Sequence, residues 1–187
     1  MNPDRLYFTG NDDADRLLAE DPLALLIGFA LDQQVPVTTA FLGPLKLKDR
    51  LGKLDARAIA QMDPVTLETA FREKPAVHRF PGNMARRVQE LCATLVDDYD
   101  GRAERVWSDA ADGDDLRTRI NALPGFGEMK ITSLGGVLAK RFGVRAAEPL
   151  VPNHPTLGDV DSPEALARYQ EAKRAHKATL RAQEPDA

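Results

Sequence analysis

Leu123-Pro124-Gly125-Phe126-Gly127, followed by Glu128-Met129-Lys130-Ile131 and an apolar run to Phe142, decides how this sequence folds. Upstream, Leu116, Ile120 and Leu123 recur at helical spacing, and downstream Ile131, Leu134, Val137 and Leu138 do the same. Pro124 ends the first helix, because its ring removes a donor and pushes the preceding residue out of helical geometry. Gly125 and Gly127 allow the positive φ or close backbone approach of a tight turn. The pattern predicts two helices joined by a short hairpin. Free backbone N–H groups then open the second helix, where an anion such as a nucleic-acid phosphate is favoured. An ordinary helix–helix turn would read the same way in isolation.

The flanking sequence is nearly all helical in pattern, with no internal repeat and no sustained period-two alternation. Arg5–Thr9 is the one strand-like run, and Asp12–Glu20 reads as a short helix stopped by the Asp21-Pro22 start signal. Leu23 to Asp32 is apolar on nearly every side, the mark of a buried central helix. It ends abruptly in Asp32-Gln33-Gln34-Val35-Pro36 before resuming through Val37, Ala40 and Phe41. Such polarity needs partners or solvent, since an unpaired buried amide costs about 1–3 kcal/mol, and a cleft would supply both. Two modest helices lie between Leu45 and Ala70, with Asp63-Pro64 as a start signal. Residues 74–82 form a proline-bounded loop, and Asn83 is placed to cap a helix over Met84–Val96. Glu148–Thr156 is proline-rich loop, and either Ser162 or Asp161 opens a basic terminal helix.

Composition narrows the class. With 187 residues, 43% hydrophobic and 29% charged, the chain reads as one large globular domain or two small lobes. The longest apolar stretch, Leu23–Leu31, is too short to span a bilayer, and no signal-peptide pattern opens the chain, so the expected setting is cytoplasmic. The single cysteine, Cys92, falls in the apolar series Val88, Leu91, Leu95 and is expected in the core. One cysteine excludes a disulfide framework and a four-cysteine cluster. The net charge of −4 argues against a generic nucleic-acid binder, yet it is unevenly spread. Arg72–Glu90 and Glu128–Arg145 each carry +3, which leaves −10 for the remainder.

The hairpin, the Leu25–Val35 stretch and Asn83-Met84-Ala85-Arg86-Arg87-Val88 together resemble the helix-hairpin-helix (HhH-GPD) superfamily of DNA glycosylases, here a small member without the iron–sulfur cluster that several of them carry. The resemblance implies an all-α, two-lobed fold with a cleft between the lobes. Residues 22–145 would form one lobe, ending in the helix-hairpin-helix at 116–142, and 1–21 with 146–187 the other. It implies a monomeric base-excision enzyme that flips a damaged base out of double-stranded DNA and hydrolyses its N-glycosidic bond. Gln33 or Gln34 would enter the duplex as a wedge, with Asp32 and His78 in or near the base pocket. Leu123, Gly125, Phe126, Gly127, Lys130, Asn83 and Arg86 would contact DNA. No cofactor is required on this reading, and a monovalent cation at the hairpin is optional. The competing expectation for the glutamines is a capped helix facing water, and for His78 a solvated loop residue.

The resemblance also implies a catalytic aspartate after the hairpin, since a carboxylate below the sugar stabilises the cation that forms as the bond breaks. The superfamily's usual offset lands on Ala147, beside Glu148, whereas the local pattern Leu157-Gly158-Asp159-Val160 favours Asp159 after an insertion. Asp159 is therefore the expected catalytic residue, with Asp161 second and Glu148 third. Helix capping competes for Asp161. Relatives that also cleave the backbone use a lysine amine as nucleophile. Their lysine position is Met129 here, and one residue turns a helical side chain by about 100°. Lys130 is thus expected to face phosphate, and the enzyme to be monofunctional without lyase activity. The displaced aspartate equally suits a non-catalytic DNA-binding protein of the same fold, and a helical interaction protein with no nucleic-acid role is the third reading. The excised base is left open among alkylated purines, uracil and oxidised bases.

Overall fold

The computed structural model describes residues 2–183 and contains helices and no strand among them. Residues 5–9, the expected strand, form no strand and bend at residues 8 and 9. Leu6 and Phe8 turn inward, and the backbone is tied to Asp15 through Leu6 N–H to its carbonyl (2.9 Å) and through Phe8 and Thr9 N–H to its carboxylate. The first helix, α1 (Asp12–Glu20), is capped by Asn11. Asp21 then opens α2 (Pro22–Leu31), accepting from the N–H groups of Leu23 and Ala24, with Pro22 in the first turn.

Every residue of α2 from Leu23 to Leu31 is buried, as the all-round apolar pattern requires. Burying each large apolar side chain stabilises by about 1.5–3 kcal/mol, so α2 anchors the core. Phe41 stacks edge-on against Phe29 and Phe8, both at 5.1 Å between centroids. It belongs to α3 (Val37–Leu51), which runs through the buried Pro44 without breaking. Helices α4 (Ala56–Gln61) and α5 (Pro64–Arg72) follow, α5 from the expected Asp63-Pro64 start.

Helix α6 (Pro81–Tyr99) begins two residues before the expected cap. Pro81 takes the first helical position, for which its fixed φ is suited, so Asn83 lies exposed inside the first turn and caps nothing. The rest comprises α7 (Arg105–Ser108), α8 (Gly113–Asn121), α9 (Glu128–Phe142), 3-10 turns at Arg145–Leu150 and Leu157–Asp159, and α10 (Pro163–Gln183). Ser162, not Asp161, caps α10 through its hydroxyl, which accepts from Ala165 N–H at 3.1 Å. Cys92 is fully buried on α6.

Helices α1 to α6 pack on one another, and α7 to α9 with the two 3-10 turns form a second group. The outer segments joined in the sequence reading dock separately, residues 12–20 on α2 and α3, and 145–159 on α8 and α9. No helix among the described residues is long and apolar enough to cross a membrane.

Candidate active site and nucleic-acid interface

The hairpin forms where the sequence places it. Helix α8 stops at Asn121, ahead of Pro124, and Phe126 N–H bonds to the Leu123 carbonyl at 3.1 Å to close the turn. Gly125 has φ +81°, a conformation L side chains rarely adopt, and the Arg87 side chain lies over it, 2.7 Å from where a Cβ would stand. Gly127 is different: its backbone is ordinary extended chain and a Cβ would meet nothing within 4 Å. Nothing inside the protein demands glycine there, whereas a close approach from outside would. Gly127 opens α9 without any side-chain cap, leaving its first N–H groups facing outward. Leu123 and Phe126, expected to contact DNA, are instead buried, because these apolar residues anchor the hairpin to the core.

The glutamine turn lies against this hairpin. Arg87 of α6 packs over Gly125 and donates to Gln33 Oε1, linking the two structures directly. His78 is neither solvated nor in a pocket. It is buried, and Nε2 donates to the carbonyls of Leu31 (3.1 Å) and Gln33 (3.0 Å) while Nδ1 accepts from Phe80 N–H (3.0 Å). Burial pushes its pKa down, and the Phe80 bond requires a bare Nδ1, so the ring is a neutral brace for the turn. Gln34 sits at φ 58°, in the left-handed region that a non-glycine residue enters at a cost, and its side chain is exposed. An open recess of about 470 Å³ joins Gln33 and Gln34 to Phe80, Asn83, Arg86 and Arg87. The structure thus brings the wedge candidates together with Asn83 and Arg86. Phe80, 39% exposed at the rim and stacked by Arg79, was not singled out by sequence reasoning; an aromatic residue in a polar loop was the available signal.

Asn11, Asp21, Asp55, Asp63, Asp112 and Ser162 cap α1, α2, α4, α5, α8 and α10. Helices α3, α6 and α9, which start at the glutamine turn, the recess and the hairpin, have no side-chain cap, and neither does the short α7. The positive ends of α3 and α6 are left with neither a cap nor a first-turn acid, α9 has Glu128 in its first turn, and α6 also carries Arg86 and Arg87.

A second group of titratable side chains gathers at the end of α2. Lys130, expected at a phosphate, instead turns inward: Nζ donates to the Ala30 carbonyl at the end of α2 (3.3 Å) and lies 5.5 Å from the Phe126 ring centroid. The reason is helical phase, since Lys130 lies four residues before Leu134 and in line with Val137 on the buried stripe, while Met129 is 84% exposed. Burial pulls the Lys130 pKa down to about 8; nearby Asp32 opposes this and Arg87 adds to it. Asp32 is half-buried with its pKa pushed up by burial, against the pull of Lys173 and Lys130, and its carboxylate takes no hydrogen bond among the described residues. Tyr169 of α10 completes the cluster, its phenol pushed to about 12 by burial and the neighbouring Asp32 charge.

Asp159 is not brought here. Lys140 donates to its Oδ1 at 2.5 Å and Thr156 N–H to its Oδ2 at 2.8 Å, and Asp159 completes a capping box for the second 3-10 turn. Burial raises its pKa, but those bonds together outweigh burial and hold the carboxyl below the usual range. Lys140 lies about 15 Å from Lys130 along α9. Asp161 and Glu148 are exposed, outside the cluster.

No protein-family model matches this chain, and no curated protein does. Among solved structures the chain is similar to an endonuclease III–DNA covalent intermediate trapped as an estranged-adenine complex, with 19% identity and a TM-score of 0.46, over 84% of this chain and 79% of that one.

Proposed function

We propose that this protein is a base-excision DNA glycosylase acting on a damaged base in double-stranded DNA. The observation that carries the reading is the Asp32–Lys130 pair, set between a glutamine turn and a hairpin with free N–H groups. Phosphates on either side of a lesion bind the uncapped ends of α9, α6 and α3. Gln34 and Phe80 enter the duplex, occupying the space of the extruded nucleotide. The sugar then lies against Asp32. As the glycosidic C–N bond breaks, the base leaves with the electron pair, and the carboxylate stabilises the positive charge left on the deoxyribose and orients a water for attack at C1′. In this form the enzyme is monofunctional, and it works without an iron–sulfur cluster.

A second reading is favoured by the Lys130 pKa of about 8, which leaves an appreciable fraction of free amine near neutral pH. The amine nitrogen attacks C1′ as the base departs, and loss of a proton and ring opening give an imine that borohydride reduces to a permanent Lys130–DNA bond. The test uses duplexes each bearing one alkylated, deaminated or oxidised base. Abasic product from one of them, with no adduct after borohydride, supports hydrolysis, and an adduct mapped to Lys130 supports the amine. Tight binding with neither product across the panel would identify a non-catalytic binder and overturn the enzyme reading.

A further inference from the structure

The terminal helix α10 leaves the body at the Asp32 cluster and continues alone. Ala165 and Leu166 are buried and Tyr169 is packed beside Asp32, but residues 171–183 are all exposed. That exposed length is about 20 Å of helix. A free-standing helix of this size is marginal in water without a partner. Its charges are sorted. Lys173, Arg174, Lys177 and Arg181 fall within about 100° of the helix circumference, whereas Glu171 and Arg168 point elsewhere. The basic stripe continues from the side that bears Tyr169, and its first member, Lys173, is close enough to Asp32 to lower that carboxyl's pKa. The stripe is thus continuous with the proposed nucleic-acid face and opposite in charge to a phosphate backbone.

We infer that α10 is a second DNA-contacting arm, its Lys173–Arg174–Lys177–Arg181 stripe lying along the duplex backbone beyond the lesion. The inference rests on the DNA reading above and adds a surface to it. The arm holds phosphates without reading bases, so it lengthens the footprint and places the duplex over Asp32.

The experiment measures duplex affinity against salt for the full chain, using an undamaged duplex and one carrying a tetrahydrofuran abasic analogue. Replacing Arg174, Lys177 and Arg181 together by Gln should make the log–log slope shallower by about 0.9 for each phosphate no longer neutralised, roughly 2.7 in all. Arg168→Gln, on the opposite side of the same helix, should leave the slope at the wild-type value. Arg174→Lys with Arg181→Lys should also preserve it. Circular dichroism shows whether the triple variant keeps its helix. A wild-type slope in a folded triple variant that still binds duplex overturns the arm and leaves the DNA reading standing; the stripe would then suit an acidic protein surface. Absence of salt-dependent binding by the wild type overturns both.

Discussion

Helix α9 has a lysine near an aspartate at each end, and the two pairs are built in opposite ways. At the C-terminal end Lys140 and Asp159 meet at 2.5 Å, partly exposed to solvent, and Thr156 takes the remaining oxygen. At the N-terminal end Lys130 and Asp32 share a half-buried space without a hydrogen bond between them, and Lys130 rests on a main-chain carbonyl. The first carboxylate is held below its usual pKa and the second above it. A carboxylate whose lone pairs are already occupied holds a turn together. One kept partly dry and unbonded is available to a substrate, and neighbouring lysines keep its charge tolerable. The same two residue types therefore hold a turn at one end of the helix and, on the proposed glycosylase reading, serve the reaction at the other.

The largest effect expected of a change at the N-terminal end is on chemistry. Lys130→Met should lower excision about 10²-fold or more on the amine reading and remove the borohydride adduct. On that amine reading, wild-type adduct formation should climb as pH rises through about 8, because the amine loses its proton there. An adduct yield that is flat across that range would break the contrast between the two lysines.

His78→Phe tests the brace under the glutamine turn. It leaves the carbonyls of Leu31 and Gln33 without their buried donor, so it should cost about 1–3 kcal/mol in denaturant unfolding. The wild type carries a matching pH signature. The folded ring resists protonation and the unfolded ring accepts a proton near 6.5, so this contribution is fully present above pH 6.5 and is lost as pH falls below it. The Phe variant should lack that acid-side slope. Gln34→Gly should have the smallest effect on stability, a gain of about 0.5–1 kcal/mol from relieving the left-handed backbone, together with weaker binding to damaged duplex. Loss of stability in that variant would mean that the side chain is a structural prop.

What could be read from the sequence was local. The hairpin, the Asp21-Pro22 and Asp63-Pro64 starts and the buried α2 depend on neighbours within one helical turn, and all are present. Asp32 and Lys130 lie far apart in the chain, and their meeting depends on how α2 and α9 pack, which no local pattern states. The inward turn of Lys130 was legible, because Leu134 and Val137 mark its face; comparison with the Met129 position pointed the other way. Asp159 resembled a catalytic residue because a carboxylate before a helix is also what a cap looks like. Both roles place the same side chain in the same kind of sequence, and only its bonding partners tell them apart.

The claim that chemistry belongs to the Asp32 end of α9 is tested most directly by single-turnover excision with Asp32→Asn and Asp159→Asn, measured side by side. The expected result is a fall of about 10²–10³ for Asp32→Asn, and a rate within about three-fold of wild type for Asp159→Asn. A collapse of the rate in Asp159→Asn, with Asp32→Asn close to wild type, would contradict it.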